Sequence, residues 1–272
     1  MRALLLVLLL ATPAAAQDFS FGSKPDETLE ASAILYVPEI KGHSHYGFGE
    51  TGSRAGETSF RDDLGYTPNP ITLGLQAAVN FGEFGWIGGD VLGFDVVGAS
   101  GVLGRERMME GTTLNPGDFV QSDGLVVWGG LHYGYELRVK LFDFLDLAAS
   151  PTFGFGFFDL RADLQRLAPT VTPVLAGNAS AFVLTPGARL LVEAWDLVRV
   201  GCDLETGLTG SALAISEPYT NLWERIRVYA GVNVFGVDAT IGWRLFATHV
   251  AGSGDGVDLR LRGLDASLGV RF

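Results

Sequence analysis

Asp123 to Leu141 read DGLVVWGGLHYGYELRVKL, and the order of polar and apolar residues in this stretch decides the fold. Leu125, Val127, Leu131, Tyr133, Tyr135, Leu137, Val139 and Leu141 fall on one side of a two-residue repeat. Trp128, His132, Glu136, Arg138 and Lys140 fall on the other. A helix would scatter both sets around its circumference, whereas an extended strand separates them. The stretch is expected to be a strand with one apolar and one charged face.

The same period recurs on both sides of it. Leu29, Ala31, Ala33, Leu35 and Val37 alternate with Glu30 and Ser32. Ile71 to Phe81 alternates with Thr72, Gln76 and Asn80. Residues 84–99 are strand-like too, with Asp90 and Asp95 on opposite faces and the register left open. Phe153, Phe155 and Phe157 follow Leu145 and Leu147 on one face, and Asp159, Arg161 and Asp163 then take the polar face; a bulge is expected at Phe157–Phe158. Further alternating runs cover 182–193, 198–205, 225–234, 238–248 and 264–272. The total is about ten strands, with eight or twelve as alternatives.

The connections alternate in length. Short turns are expected near 82–83, 142–144, 195–196 and 235–236. Long polar or Gly-rich loops are expected near 42–69, 100–122, 165–179, 212–221 and 251–256. Strands with one continuous apolar face suit a sheet closed in lipid, where every backbone group must be paired. A soluble sandwich would bury that face, and here the apolar faces are too extensive and the polar faces too rich in opposite charges. The expectation is an all-β, closed antiparallel transmembrane β-barrel over residues 29–272.

Composition narrows the function. The net charge of -12 sets this chain against nucleic acid, a polyanion. The single Cys202 excludes an internal disulfide and a cysteine-rich zinc site. Residues 1–16, MRALLLVLLLATPAAA, combine Arg2, a short leucine run and small residues before Gln17, and read as a secretory signal peptide. Residues 17–28 are expected to be a periplasmic segment. Aromatic residues gather at the short turns: Phe81, Phe84, Trp86, Phe142, Phe144, Trp195, Phe235 and Phe272 are expected to form one interfacial girdle.

The final run, Leu268-Gly269-Val270-Arg271-Phe272, resembles the end of bacterial outer-membrane β-barrels. The resemblance implies an outer-membrane location and a final strand read by the barrel-assembly machinery, which makes Phe272 the expected assembly signal. It also implies outer-membrane lipid and lipopolysaccharide as surroundings. The stretch Thr58 to Tyr66, with its Asp-Asp-Leu-Gly, is similar to one in some small uncharacterised barrels. The ten-strand omptin proteases resemble this chain in size and strand count. Their Asp-x-His pairing is absent, and Asp62-Asp63 is a lone acidic pair.

The charged faces are expected to meet inside the barrel. His132, Glu136, Arg138, Arg189, Glu193, Asp203, Glu205, Arg225, Arg227, Arg244 and Arg271 form the expected polar network, with Arg199, Asp238 and Asp265 on the same faces. Buried charges need partners, so a filled, salt-bridged lumen is expected and the protein is read as a structural or surface-exposed monomer. A narrow pore leaning toward anions is the alternative. A lipid-modifying hydrolase is a second, with Ser100, Ser211 or Ser216 beside His249. His43 and His45 are two residues apart in the first long loop. Two histidines alone make a weak metal site, so neither metal nor cofactor is expected.

Overall fold

The computed structural model describes residues 19–21, 29–46, 56–59, 69–103, 106–109, 112–167, 172–210, 220–251 and 255–272. The signal segment 1–16, most of 17–28, Asp62-Asp63, Ser211 and Ser216 lie outside the described residues.

Ten long strands build the wall: β1 (Leu29–Tyr46), β2 (Thr72–Asn80), β3 (Trp86–Val102), β4 (Phe119–Gly134, resuming as Leu137–Phe142), β5 (Leu145–Arg166), β6 (Thr172–Ala194), β7 (Val198–Gly210), β8 (Thr220–Val234), β9 (Val237–Ala251) and β10 (Asp255–Arg271). Each pairs antiparallel with its neighbours in the chain, and β10 pairs with β1 from Arg271↔Glu30 to Asp255↔Tyr46. That last ladder closes the sheet into a barrel and removes its edges. Phe19–Phe21 adds a short strand beside Leu137–Val139, and Gly56–Ser59 adds one beside the end of β1.

The short turns fall where the alternation breaks. Between β8 and β9 they reduce to Phe235 and Gly236, both with positive φ (54° and 82°), the signature of a type I′ hairpin. Such a turn matches the right-handed twist of the strands it joins, and glycine takes the second position without strain.

Two belts divide the outer wall. From Leu29 to Val37 on β1 and from Leu264 to Phe272 on β10, the outward residues are apolar. A tilted strand needs about 9–11 residues to cross the hydrocarbon layer, so these stretches are long enough. Leu73, Leu75, Phe153, Phe155, Phe182, Ile241 and Leu264 are more than half exposed, except as lipid would cover them. Beyond this belt the outward positions turn polar: Glu39 and Lys41 on β1, Asp95 on β3, Asp159 and Arg161 on β5, Arg260 and Arg262 on β10. The strands thus continue past the membrane into water.

Inside the upper part the pattern inverts. Ile34, Tyr36, Leu92, Phe94, Val126, Trp128, Phe158, Leu160, Val183, Trp223, Phe246, Leu259 and Leu261 are buried in one core. This corrects the expected bulge at Phe157–Phe158. The β5–β6 register runs unbroken from Phe157↔Phe182 to Phe158↔Ala181 and shifts only at Leu164/Gln165. The apparent change of phase marks a change of medium: above the membrane the apolar residues face inward and the charged ones outward, as in a soluble protein. The long loop expected at 165–179 is shorter than that. β5 runs on to Arg166 and β6 starts at Thr172.

The girdle is corrected at one residue. Phe81, Phe84, Phe142, Phe144, Trp195, Phe235 and Phe272 are exposed at the short-turn end, and Phe144 stacks between Phe142 and Trp195 at centroid distances of 5.6 and 5.1 Å. Trp86 instead points inward and is buried, because it shares the inner parity of β3. Its indole lies over Gly134 of β4, where any Cβ would collide with the ring. Gly134→Leu is expected to destabilise the barrel by about 1–3 kcal/mol, the usual cost of overpacking. The check is the temperature at which heat-modifiable gel mobility is lost; an unchanged midpoint would argue against the Trp86 contact.

Candidate functional site

The inner face of the membrane-spanning half carries the charges, and they meet in two levels. At the short-turn mouth, Arg138 of β4 gathers three carboxylates. It donates to Glu136 at 3.0 Å and to Glu193 of β6 at 2.7 Å, and lies 3.3 Å from Asp146 of β5. Arg271 of β10 approaches Glu193 at 3.3 Å and Glu30 of β1 at 2.9 Å. Arg199 pairs with Asp238, and Arg199 and Arg227 flank the Tyr229 ring at 5.8 and 4.6 Å.

One level deeper, Asp90 of β3 bridges Arg225 of β8 and Arg244 of β9, the latter at 3.2 Å. Asp265 of β10 receives Arg227 at 2.7 Å and stands 3.5 Å from Arg244. Arg225 reaches Glu205 of β7 at 3.3 Å, and His132 lies 3.3 Å from the same carboxylate. Arg189 donates to Asp203 at 2.9 Å and lies 4.5 Å from the centre of the Trp86 ring. Arg227 also donates to Thr240, whose hydroxyl meets Ser267 at 2.6 Å.

All the expected inner-face residues therefore come together, but through partners the strand spacing did not suggest. His132 meets Glu205 across the lumen rather than Glu136 along its own strand. Asp90, whose register the sequence left open, is the hub of the deeper level. Its ladder partner Gln76 already read as an inner-face residue, so strand pairing is the signal that would have placed it. Asp95, on the opposite face, stands above the belt in water, so both carboxylates have polar surroundings at different heights.

Above the charges the lumen is apolar. Trp128 stacks on Phe246 at 5.3 Å, Trp223 meets Phe246 edge-on at 4.8 Å, and Phe158 lies 6.1 Å from it. Tyr36 and Phe94 each pack edge-on against Trp128 at 6.2 Å. Tyr36 joins the two zones, its hydroxyl donating to the Arg244 carbonyl at 3.2 Å. Leu103 and Leu114, from the β3–β4 connection, are buried against this core. Two cavities, of about 60 and 80 Å³, lie among the charged residues, with room for a few waters. Neither is lined by Tyr36, Trp128 or Phe246.

Outside, Arg262 donates to Glu39 at 2.8 Å and Lys41 lies 3.2 Å from it. These hydrogen bonds, Arg262's foremost, hold the Glu39 carboxyl below the usual carboxylate range. Ser100 and His249 do not meet: Ser100 lies on β3 and His249 on β9, with β10, β1 and β2 between them.

A closed antiparallel barrel with an exposed apolar belt, an aromatic girdle and charges turned inward has the build of a transmembrane β-barrel. No protein-family model and no curated protein matches the chain. Among solved structures it is similar to the outer membrane protease OmpT from Escherichia coli, at 12% identity and a TM-score of 0.45, over 93% of this chain and 98% of that one. It is similar also to the translocator domain of the autotransporter NalP from Neisseria meningitidis, at 12% identity and a TM-score of 0.34, over 100% and 94% of the two chains. A third likeness is to Ail, the attachment invasion locus protein of Yersinia pestis, at 11% identity and a TM-score of 0.30, over 90% and 99%.

Proposed function

We propose that this protein is a non-conducting outer-membrane barrel, a rigid structural anchor for the wall and loops that it raises beyond the membrane. The observation that carries the reading is the aromatic core of Tyr36, Phe94, Trp128, Phe158, Trp223 and Phe246 lying across the lumen above the charged levels. A pore needs a continuous wetted path, and side chains packed at van der Waals contact leave none. The charges below support the same reading. Among the described residues, seven inward arginines meet nine carboxylates in ion pairs, so most of their field is spent on each other. An anion-leaning pore has less support, because carboxylates outnumber arginines in that network.

The test is electrical. Purified, folded protein in planar bilayers is expected to give no discrete conductance steps. The double variant Trp128→Ala, Phe246→Ala is expected to be the first to conduct, because it removes the stacked pair at the centre of the core. Uniform channels from the unmodified protein would overturn the proposal. Heat-modifiable mobility verifies that the double variant is folded before its conductance is read.

A further inference from the structure

The cations of the outer wall above the membrane belt are unevenly placed. Among the described residues, Lys41 of β1 and Arg260 and Arg262 of β10 point outward there on two neighbouring strands, while Arg161 of β5, across the barrel, pairs with Asp159. On β3, β4 and β8 the outward charges beyond the belt are acidic: Asp95, Asp123 and Glu224. Arg262 is the ladder partner of Glu39, and Arg260 of Lys41, so these four side chains form two successive outward rows. Across the ladder their Cα atoms lie about 4.5–5.5 Å apart, and the rows are about 7 Å apart. One carboxylate serves two of the cations: Glu39 accepts from Arg262 at 2.8 Å and lies 3.2 Å from the Lys41 ammonium. Arg260 is exposed and has no carboxylate partner among the described residues. Three cations against one carboxylate leave a surplus of two positive charges, in a chain whose net charge is -12.

We propose that Lys41, Arg260 and Arg262 bind the phosphate monoester of a membrane-lipid headgroup, as carried by a phosphorylated glycolipid. A phosphate monoester carries about −1.5 to −2 charge at neutral pH, which matches the surplus, whereas a diester carries a single charge. Its oxygens accept from several donors at once, and guanidiniums meet them in a fork. Height favours a lipid over a free ion. The outward row immediately below the patch is apolar: Val37, Leu264 and Trp243 are consecutive ladder partners on β1, β10 and β9, and all three are exposed. An outward tryptophan at the end of an apolar belt marks the headgroup level. Beside the patch β9 stays apolar, with Leu245 opposite Arg262 and Ala247 opposite Arg260. Acyl chains can therefore lie on Leu264, Trp243 and Leu245 while the phosphate of the same molecule meets the cations above them. The site stands on the outer wall and does not depend on whether the lumen is closed.

The test is native mass spectrometry of the full-length protein, released from detergent and titrated with lipid A that carries both glucosamine phosphates. Phosphatidylglycerol, a diester, and inorganic phosphate alone are the comparison probes. Lipid A should bind saturably and several-fold more tightly than phosphatidylglycerol, and inorganic phosphate should not displace it. Arg260→Ala and Lys41→Ala should each weaken lipid A binding about fivefold, the usual worth of one basic residue at a membrane surface. Glu39→Gln, which releases two cations from their carboxylate, should tighten it. Arg161→Ala, across the barrel, should leave it unchanged. Equal affinity for the two lipids, wild-type affinity in Arg260→Ala, or looser binding in Glu39→Gln would each overturn the proposal. Displacement by inorganic phosphate would overturn it too, by assigning the patch to the free ion. All four substituted residues lie on the wall beyond the membrane belt, so the variants are expected to fold, as heat-modifiable mobility verifies.

Discussion

Asp265→Ala is expected to lower the stability of the folded barrel by about 3–5 kcal/mol, the cost of breaking a buried ion pair from one side. The Asp265 side chain is fully buried and faces two guanidiniums, Arg227 at 2.7 Å and Arg244 at 3.5 Å. Its removal leaves Arg227 without its nearest carboxylate and Arg244 dependent on Asp90 alone. At that depth the wall is sheathed in lipid, so water reaches the arginines only through the small cavities between them. The measurement is urea unfolding of the refolded barrel in lipid vesicles, followed by tryptophan fluorescence. Asp265→Asn keeps an acceptor and loses the charge, and should fall between the two. Replacing both partners, Asp265→Leu with Arg227→Met, should cost less than Asp265→Ala because no charge is then left unpaired. Stability within about 1 kcal/mol of wild type in Asp265→Ala would mean that the network is hydrated and loosely coupled.

Removal of Phe272 is expected to reduce the amount of assembled barrel in the membrane several-fold. Phe272 stands at the seam where the barrel closes. Its amide donates to the Leu29 carbonyl at 2.9 Å, and the Leu29 amide donates back to its carbonyl at 3.2 Å. Without that exchange the base of the β10–β1 ladder has unpaired backbone groups at the membrane edge, where pairing is obligatory. The proposed role as assembly signal adds to this a recognition step that precedes closure. Phe272→Ala separates the two contributions, because it keeps the backbone pair and removes only the ring. If the ring is recognised, Phe272→Ala should assemble as poorly as the deletion. If only the seam matters, it should assemble near wild-type levels. Gel mobility of unheated samples measures the folded fraction, and wild-type amounts of folded protein after the deletion would contradict both contributions.

Class and strand number were legible because they depend on local alternation. In Leu264 to Phe272 the odd positions face inward and the even ones face lipid, and neighbours two apart along one strand reveal this without knowledge of the partner strand. The turns were legible for a similar reason, since Phe235-Gly236 interrupts the repeat within its own hairpin. The polar network was legible as a set of residues, because each member stands on the charged side of its own strand.

Tertiary structure alone decided who meets whom and which medium lies on each side. Arg225 and Asp90 are brought together across 135 residues, and Arg227 and Asp265 across 38, by ladders whose register no single strand encodes. The same holds for Lys41, Arg260 and Arg262, which form one patch only because β10 and β1 are neighbours in the closed wall. The alternation at Phe157–Phe158 was misleading because a period of two reports that the faces differ, not which face is wet. The strand keeps its register while lipid outside gives way to water and charged lumen gives way to an aromatic core. Height along the barrel sets that exchange, and height is a property of the assembled sheet.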